Sequence, residues 1–127
     1  DGIRVNVILF NDKVRPCWDA ARPLTAKARR DALAFAASVK PEGRTDLLGA
    51  ALRAIADESI DTVYLLTDGV PSTGDIAADG RVRAAIVRAN RIRKVAIHTI
   101  GFGVTKDADR RFLVDLASDG GGRSAFR

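Results

Sequence analysis

Two short segments hold the residues best suited to chemistry. Thr62-Val-Tyr-Leu-Leu-Thr-Asp68 is an apolar run that ends on a carboxylate, and Gly69 follows at once as a turn. Some twenty residues earlier, Gly43-Arg-Thr-Asp-Leu47 places the Thr45 hydroxyl in a glycine loop ahead of a helical pattern. In an open parallel sheet, ligands bind outside the carboxyl ends of the strands. A carboxylate and a hydroxyl meeting there are hard oxygen donors of the kind magnesium takes. The plainer alternatives are that Thr45 caps the helix after it and that Asp68 only forms a turn with Gly69. Asp46 is next to Thr45 at a helix start, where exposed amides and the helix dipole favour a carboxylate, so capping competes with metal ligation there. Ser72, Thr73 and Asp75 lie in the loop after Asp68, either rimming the same face or simply solvated.

Other chemistries lack their parts. A serine hydrolase elbow, Gly-x-Ser-x-Gly, does not occur, nor does a phosphate loop ending in Gly-Lys-Ser/Thr. Gly101-Phe-Gly103 has no third glycine for a dinucleotide fingerprint. A magnesium phosphotransferase built on Asp68 would need a second carboxylate on the same strand end, but its neighbours are Thr67 and Gly69. His98 is the sole histidine and stands in an apolar strand pattern, which reads as a satisfied core position. Cys17 is the sole cysteine, so neither an internal disulfide nor a structural zinc site can form. The chain is expected to be non-enzymatic, with no catalytic residue.

The length of 127 residues suits one α/β core, and 46% hydrophobic with 29% charged residues is ordinary for a globular protein. No apolar run approaches the roughly 18 residues of a membrane span, and no signal peptide is visible. The formal charge is +5, carried largely by arginine, and is densest from Arg81 to Lys94. That stretch contains no aromatic residue on which bases would stack, so it reads as a solvated helix face rather than a nucleic-acid surface.

The elements that must position these residues follow from periodicity. Ile3–Phe10 reads as a buried strand, Asn11-Asp-Lys13 as a tight turn, and Val14–Trp18 as an antiparallel return strand. Thr25 is placed to cap a helix with Ala28, Ala32, Phe35, Ala36 and Val39 inward. A second helix, from about Asp46 to Ala56, carries Leu48, Ala51, Leu52 and Ile55 on one face. Strand Thr62–Thr67 follows, then helix Arg81–Arg91 with Val82, Ala85, Ile86 and Ala89 inward, then strand Lys94–Ile100. A last helix, Asp109–Ser118, buries Phe112, Leu113 and Leu116; Gly120-Gly-Gly122 stops it before a short strand at Ser124–Phe126. Strands alternating with amphipathic helices imply a doubly wound, mostly parallel sheet with one antiparallel edge strand.

Taken together, the segments resemble the von Willebrand factor type A domain family over essentially the whole chain. Phe10–Val14 is similar to its second strand and hairpin, Gly43–Leu47 to its threonine loop, Leu65–Asp75 to its fourth strand, and Ile97–Gly103 to its fifth. Leu113–Gly122 resembles its final helix and glycine stop. The resemblance implies a Rossmann-like fold and a metal-ion-dependent adhesion site, with Thr45 and Asp68 as part of the ligand set and Asp46 and Asp75 as weaker candidates. The complete family site holds magnesium or manganese and binds a protein partner through an acidic side chain. Its Asp-x-Ser-x-Ser element does not occur in this sequence. Residues 1–127 are therefore expected to be a single domain that is incomplete at its N-terminus, with weak or absent metal binding. Exposed strand edges would then be open to pairing with another chain. The alternatives are an accessory domain of a chelatase- or ATPase-linked assembly and a magnesium-dependent phosphohydrolase. No residue indicates a compartment.

Overall fold

The computed structural model describes residues 3–10, 13–38, 46–68 and 76–127. The chain divides into two compact units, Asp1–Ile60 and Asp61–Arg127.

The first unit opens with strands β1 (Arg4–Val5), β2 (Ile8–Phe10), β3 (Val14–Pro16) and β4 (Arg22–Pro23). β2 pairs antiparallel with β3, the expected return strand, and β1 pairs antiparallel with β4. The expected single strand over Ile3–Phe10 is thus broken, and the cause is Asn6. Its carboxamide Oδ1 accepts from the Val7 and Trp18 amides at 2.9 and 3.1 Å, and its Nδ2 donates to the Trp18 carbonyl at 2.9 Å. A side chain able to replace ladder bonds ends the strand there. Helix α1 (Ala26–Ser38) is capped as expected, since the Thr25 hydroxyl accepts the Ala28 amide at 3.0 Å. Ala28 and Ala32 are buried and Phe35 half-buried, but Ala36 is exposed and Val39 lies outside the described residues. Helix α2 (Leu47–Ala56) packs on β2. It buries Leu47, Ala50 and Ile55, a face rotated from the expected one, and leaves Leu52 exposed.

Asp57, just past α2, clamps this unit. Its carboxylate accepts the Ala21 amide at 2.7 Å and, from Ser59, the hydroxyl at 2.6 Å and the amide at 3.0 Å. Partial burial alone would raise its pKa, but the Ser59 and Ala21 hydrogen bonds and the nearby Arg53 charge outweigh that and hold it below the usual carboxylate range. A carboxyl whose pKa is depressed on folding contributes stability above its unfolded pKa of about 3.9 and loses it as pH falls through the folded value. The unit should therefore lose stability on acidification below about pH 4, and Asp57→Asn should flatten that acid limb. Urea unfolding at pH 7 and pH 3 checks this; an unchanged acid limb in Asp57→Asn would contradict it.

The second unit is a parallel sheet in the order β5 (Thr62–Thr67), β6 (Ala96–Gly101), β7 (Gly121–Phe126). Helix α3 (Ile76–Arg93) connects β5 to β6, and α4 (Asp107–Asp119) connects β6 to β7. This is the α/β, Rossmann-like arrangement that the alternating pattern implies. Leu65, Ile97, Ile86, Val95, Phe112, Leu113 and Leu116 form the core, with Leu113 fully buried. Thr99, buried among them, donates its hydroxyl to the Leu113 carbonyl at 2.9 Å and ties β6 to α4.

The glycine run is more than a stop. Gly121 has φ +73°, and Gly122 passes so close to Ile97 that a Cβ would collide with the Ile97 carbonyl oxygen. Between the pairs Ile97–Gly121 and Thr99–Ser124 the register shifts, leaving one extra residue in β7. His98 takes up the amide freed by this bulge: its Nδ1 accepts the Arg123 N–H at 3.0 Å, while its ring stacks on Tyr64 with centroids 5.0 Å apart. The histidine is satisfied, as expected, but half-buried rather than in the core. Among the described residues, no helix is long and apolar enough to cross a membrane.

Candidate functional site

Asp68 is the residue directly after β5, at the carboxyl end of the parallel sheet, and it is exposed. Its position is fixed from behind. The Thr67 carbonyl accepts the Phe102 amide at 2.9 Å, so the residue before Asp68 is bonded to the loop that leaves β6. That loop is held in turn by the end of β7. The Gly103 amide donates to the Arg127 carbonyl at 2.9 Å, and the Arg127 amide donates to the Gly101 carbonyl at 2.8 Å. Gly103 has φ +65°, a turn conformation that favours glycine. Below it, Arg110 donates to the Val104 carbonyl at 2.8 Å and lies over the Phe126 ring at 4.8 Å. The three strand ends thus form one hydrogen-bonded rim, with an exposed carboxylate on it.

Phe102 stands on the same rim at 44% exposure, an aromatic side chain displayed beside Asp68's strand end. Sequence reasoning did not select it as a site residue. No local spacing marks it, since its exposure follows from the hydrogen bonds that tie this loop to Thr67 and Arg127.

Asp46 is engaged in structure. Its side chain accepts the Gly49 amide at 2.9 Å as the N-cap of α2. A Cβ on Gly49 would strike the same carboxylate, so glycine at that position makes room for the cap. Thr45, Ser72, Thr73 and Asp75 lie outside the described residues. Cys17 is half-buried, and burial, with Asp31 next in effect, pushes its thiol up, so it stays protonated and weakly nucleophilic at neutral pH.

Among the described residues, no three histidine, cysteine or acidic side chains cluster as a metal cage would need. The donor type at the rim fits magnesium, since Asp68 offers a hard, solvent-facing oxygen. Asp68 by itself is too few, because magnesium takes an octahedral oxygen shell and is held by one or two carboxylates only together with further donors.

The sequence from residue 1 to 126 matches the von Willebrand factor type A domain family. The chain belongs to that family. It is 30% identical over 118 residues to the human von Willebrand factor A domain-containing protein 3A, an alignment covering 93% of the chain and 10% of that relative. It is 32% identical over 88 residues to the human von Willebrand factor A domain-containing protein 3B, covering 69% of the chain and 6% of that relative. The chain therefore spans about a tenth or less of these relatives' length. The solved structure of a von Willebrand factor type A protein from Catenulispora acidiphila superposes with a TM-score of 0.76 at 18% identity, covering all of this chain and 30% of the other. At that identity the likeness concerns the fold.

Proposed function

We propose that this type A domain is a non-enzymatic module for binding another protein, and that Asp68 is its central contact. The observation that carries the reading is an exposed carboxylate on a hydrogen-bonded rim at the carboxyl ends of a parallel sheet, where such sheets place ligands. Asp68 would supply one oxygen to a magnesium or manganese ion, with Thr45 entering by its motif alone, and such an ion would supply attraction for a partner's acidic side chain. This chain's own part is to hold Asp68 outward at a fixed strand end and to present Phe102 beside it as an apolar contact. Adhesion through a metal therefore needs donors beyond Asp68, and β5, which pairs among the described residues with β6 alone, offers an edge to a further strand.

Ion binding to the native state stabilises it by RT ln(1 + [L]/Kd), less than about 1 kcal/mol when ligand and Kd are equal. Thermal unfolding of the 127-residue chain should barely change among magnesium, manganese and chelator. A strong metal-dependent shift in this chain would show that its own oxygens complete the shell, and would overturn the weak-binding reading.

A further inference from the structure

We propose that the pole of the sheet opposite Asp68 is a second binding surface, a groove that takes a short acidic segment of a partner protein with an aliphatic side chain as anchor. The groove measures about 430 Å³ and lies where the C-terminal ends of α3 and α4 meet the start of β6. Its apolar lining comes from Ile86, Val87, Ile97 and Leu116, and its cations from Arg91 and Lys94. Val87, in that lining, is 39% exposed, an apolar side chain left open to a partner.

The charge decides the occupant. Asp119 also lines the groove; Arg83 is shared between it, at 2.9 Å, and Asp115, at 3.5 Å, so one negative charge remains on that side, against Arg91 and Lys94 in the lining. Among the described residues, neither Arg91 nor Lys94 forms an ion pair, and Arg88 lies one turn before Arg91 on the same helix. A helix C-terminus carries about half a negative charge, which one cation balances. Arg91 and Lys94, at and just past the end of α3, exceed that need. What remains is a positive rim over an apolar floor, complementary to carboxylates flanking a leucine or isoleucine. Nucleic acid fits less well, because no aromatic side chain lines the groove for base stacking. A membrane surface fits less well too, since among the described residues Val87 is the one exposed large apolar side chain lining the groove, too little for an interfacial face.

Lys94 separates a binding role from a structural one. It has φ +53°, a left-handed conformation that glycine adopts without strain. Lys94→Gly should therefore raise the melting temperature while weakening binding, two effects of opposite sign. The probe is a fluorescein-labelled Glu-Glu-Leu-Glu-Glu-Ile peptide followed by anisotropy, with its all-glutamine counterpart as control. Binding should weaken with salt, fall about tenfold in Arg91→Glu combined with Lys94→Gly, and be unaffected by chelator or by Asp68→Ala. The exposed pair Arg29→Glu and Arg30→Glu on α1 should leave it unchanged. The proposal is overturned if the glutamine peptide binds equally, or if the α1 charge reversals cost as much as the groove variants. It is also overturned if a single-stranded oligonucleotide or anionic vesicles bind more tightly than the acidic peptide at the same site.

Discussion

Gly122→Ala is expected to destabilise the domain by about 3 kcal/mol or more, the upper part of the range for overpacking. The reason is that the obstruction is backbone. A Cβ there would collide with the Ile97 carbonyl and lie 3.0 Å from the His98 amide nitrogen, so no rotamer change relieves it. β7 would have to move away from β6, breaking the bulge that His98 satisfies through the Arg123 amide. Because the Arg127 and Gly101–Gly103 hydrogen bonds hang on the end of β7, the rim at Asp68 should loosen as well. Gly80→Ala is the internal control. Nothing lies within 4 Å of its Cβ, and it sits in α3, so the change should be neutral or gain up to about 1 kcal/mol from helix propensity. Urea midpoints of the two variants against wild type test the pair. Equal stability of Gly122→Ala and wild type would show that the strand tolerates a side chain there.

Asn90→Leu is the second large effect, at about 3 kcal/mol. Asn90 is buried in α3, and its carboxamide holds Val95 on both sides, donating to the carbonyl and accepting from the amide, each at 2.8 Å. Leucine of similar volume would leave two buried backbone groups unpaired, each costing about 1–3 kcal/mol. The same contact sets where α3 stops and β6 begins, since the Lys94 amide returns to the Asn90 carbonyl at 2.8 Å. Loss of that anchor should appear as fast amide exchange at Val95 and Ala96 as well as a lower midpoint. Unchanged exchange at Val95 would contradict the role assigned to Asn90.

Asn90 also shows where pattern reading stops. Helical spacing favours Ala89 as an inward residue, yet Ala89 is exposed and Asn90 is buried, because the gain comes from hydrogen bonds that hydropathy does not record. Asn6 is the same lesson in the first unit, where a polar residue in an alternating strand signals a break rather than an outward face. The parallel strands β5 and β6 and the buried face of α4 are legible because each is a long or strongly periodic run, and the hairpin of β2 and β3 because Asn11-Asp-Lys13 marks its turn. β4 is two residues carrying proline, and no periodicity can mark so short a strand. β6 begins two residues later than the pattern implies, because Lys94 in the left-handed region extends the end of α3 as a cap rather than opening the strand. At the site, Asp68 was readable from its place after an apolar run, and Asp46 from its place before a helix. Phe102 was not, because its exposure follows from how the loop is bonded to Thr67 and Arg127, which no local spacing encodes.

Whether Asp68 is a metal donor for partner binding decides the functional reading most directly. The decisive measurement is a manganese titration of the 127-residue chain followed by electron paramagnetic resonance, carried to high ion concentration. The expected result is one weakly held ion, displaced by magnesium and lost in both Asp68→Ala and Thr45→Ala. Undiminished manganese binding in Asp68→Ala would contradict that reading, leaving Asp68 as no more than a turn residue.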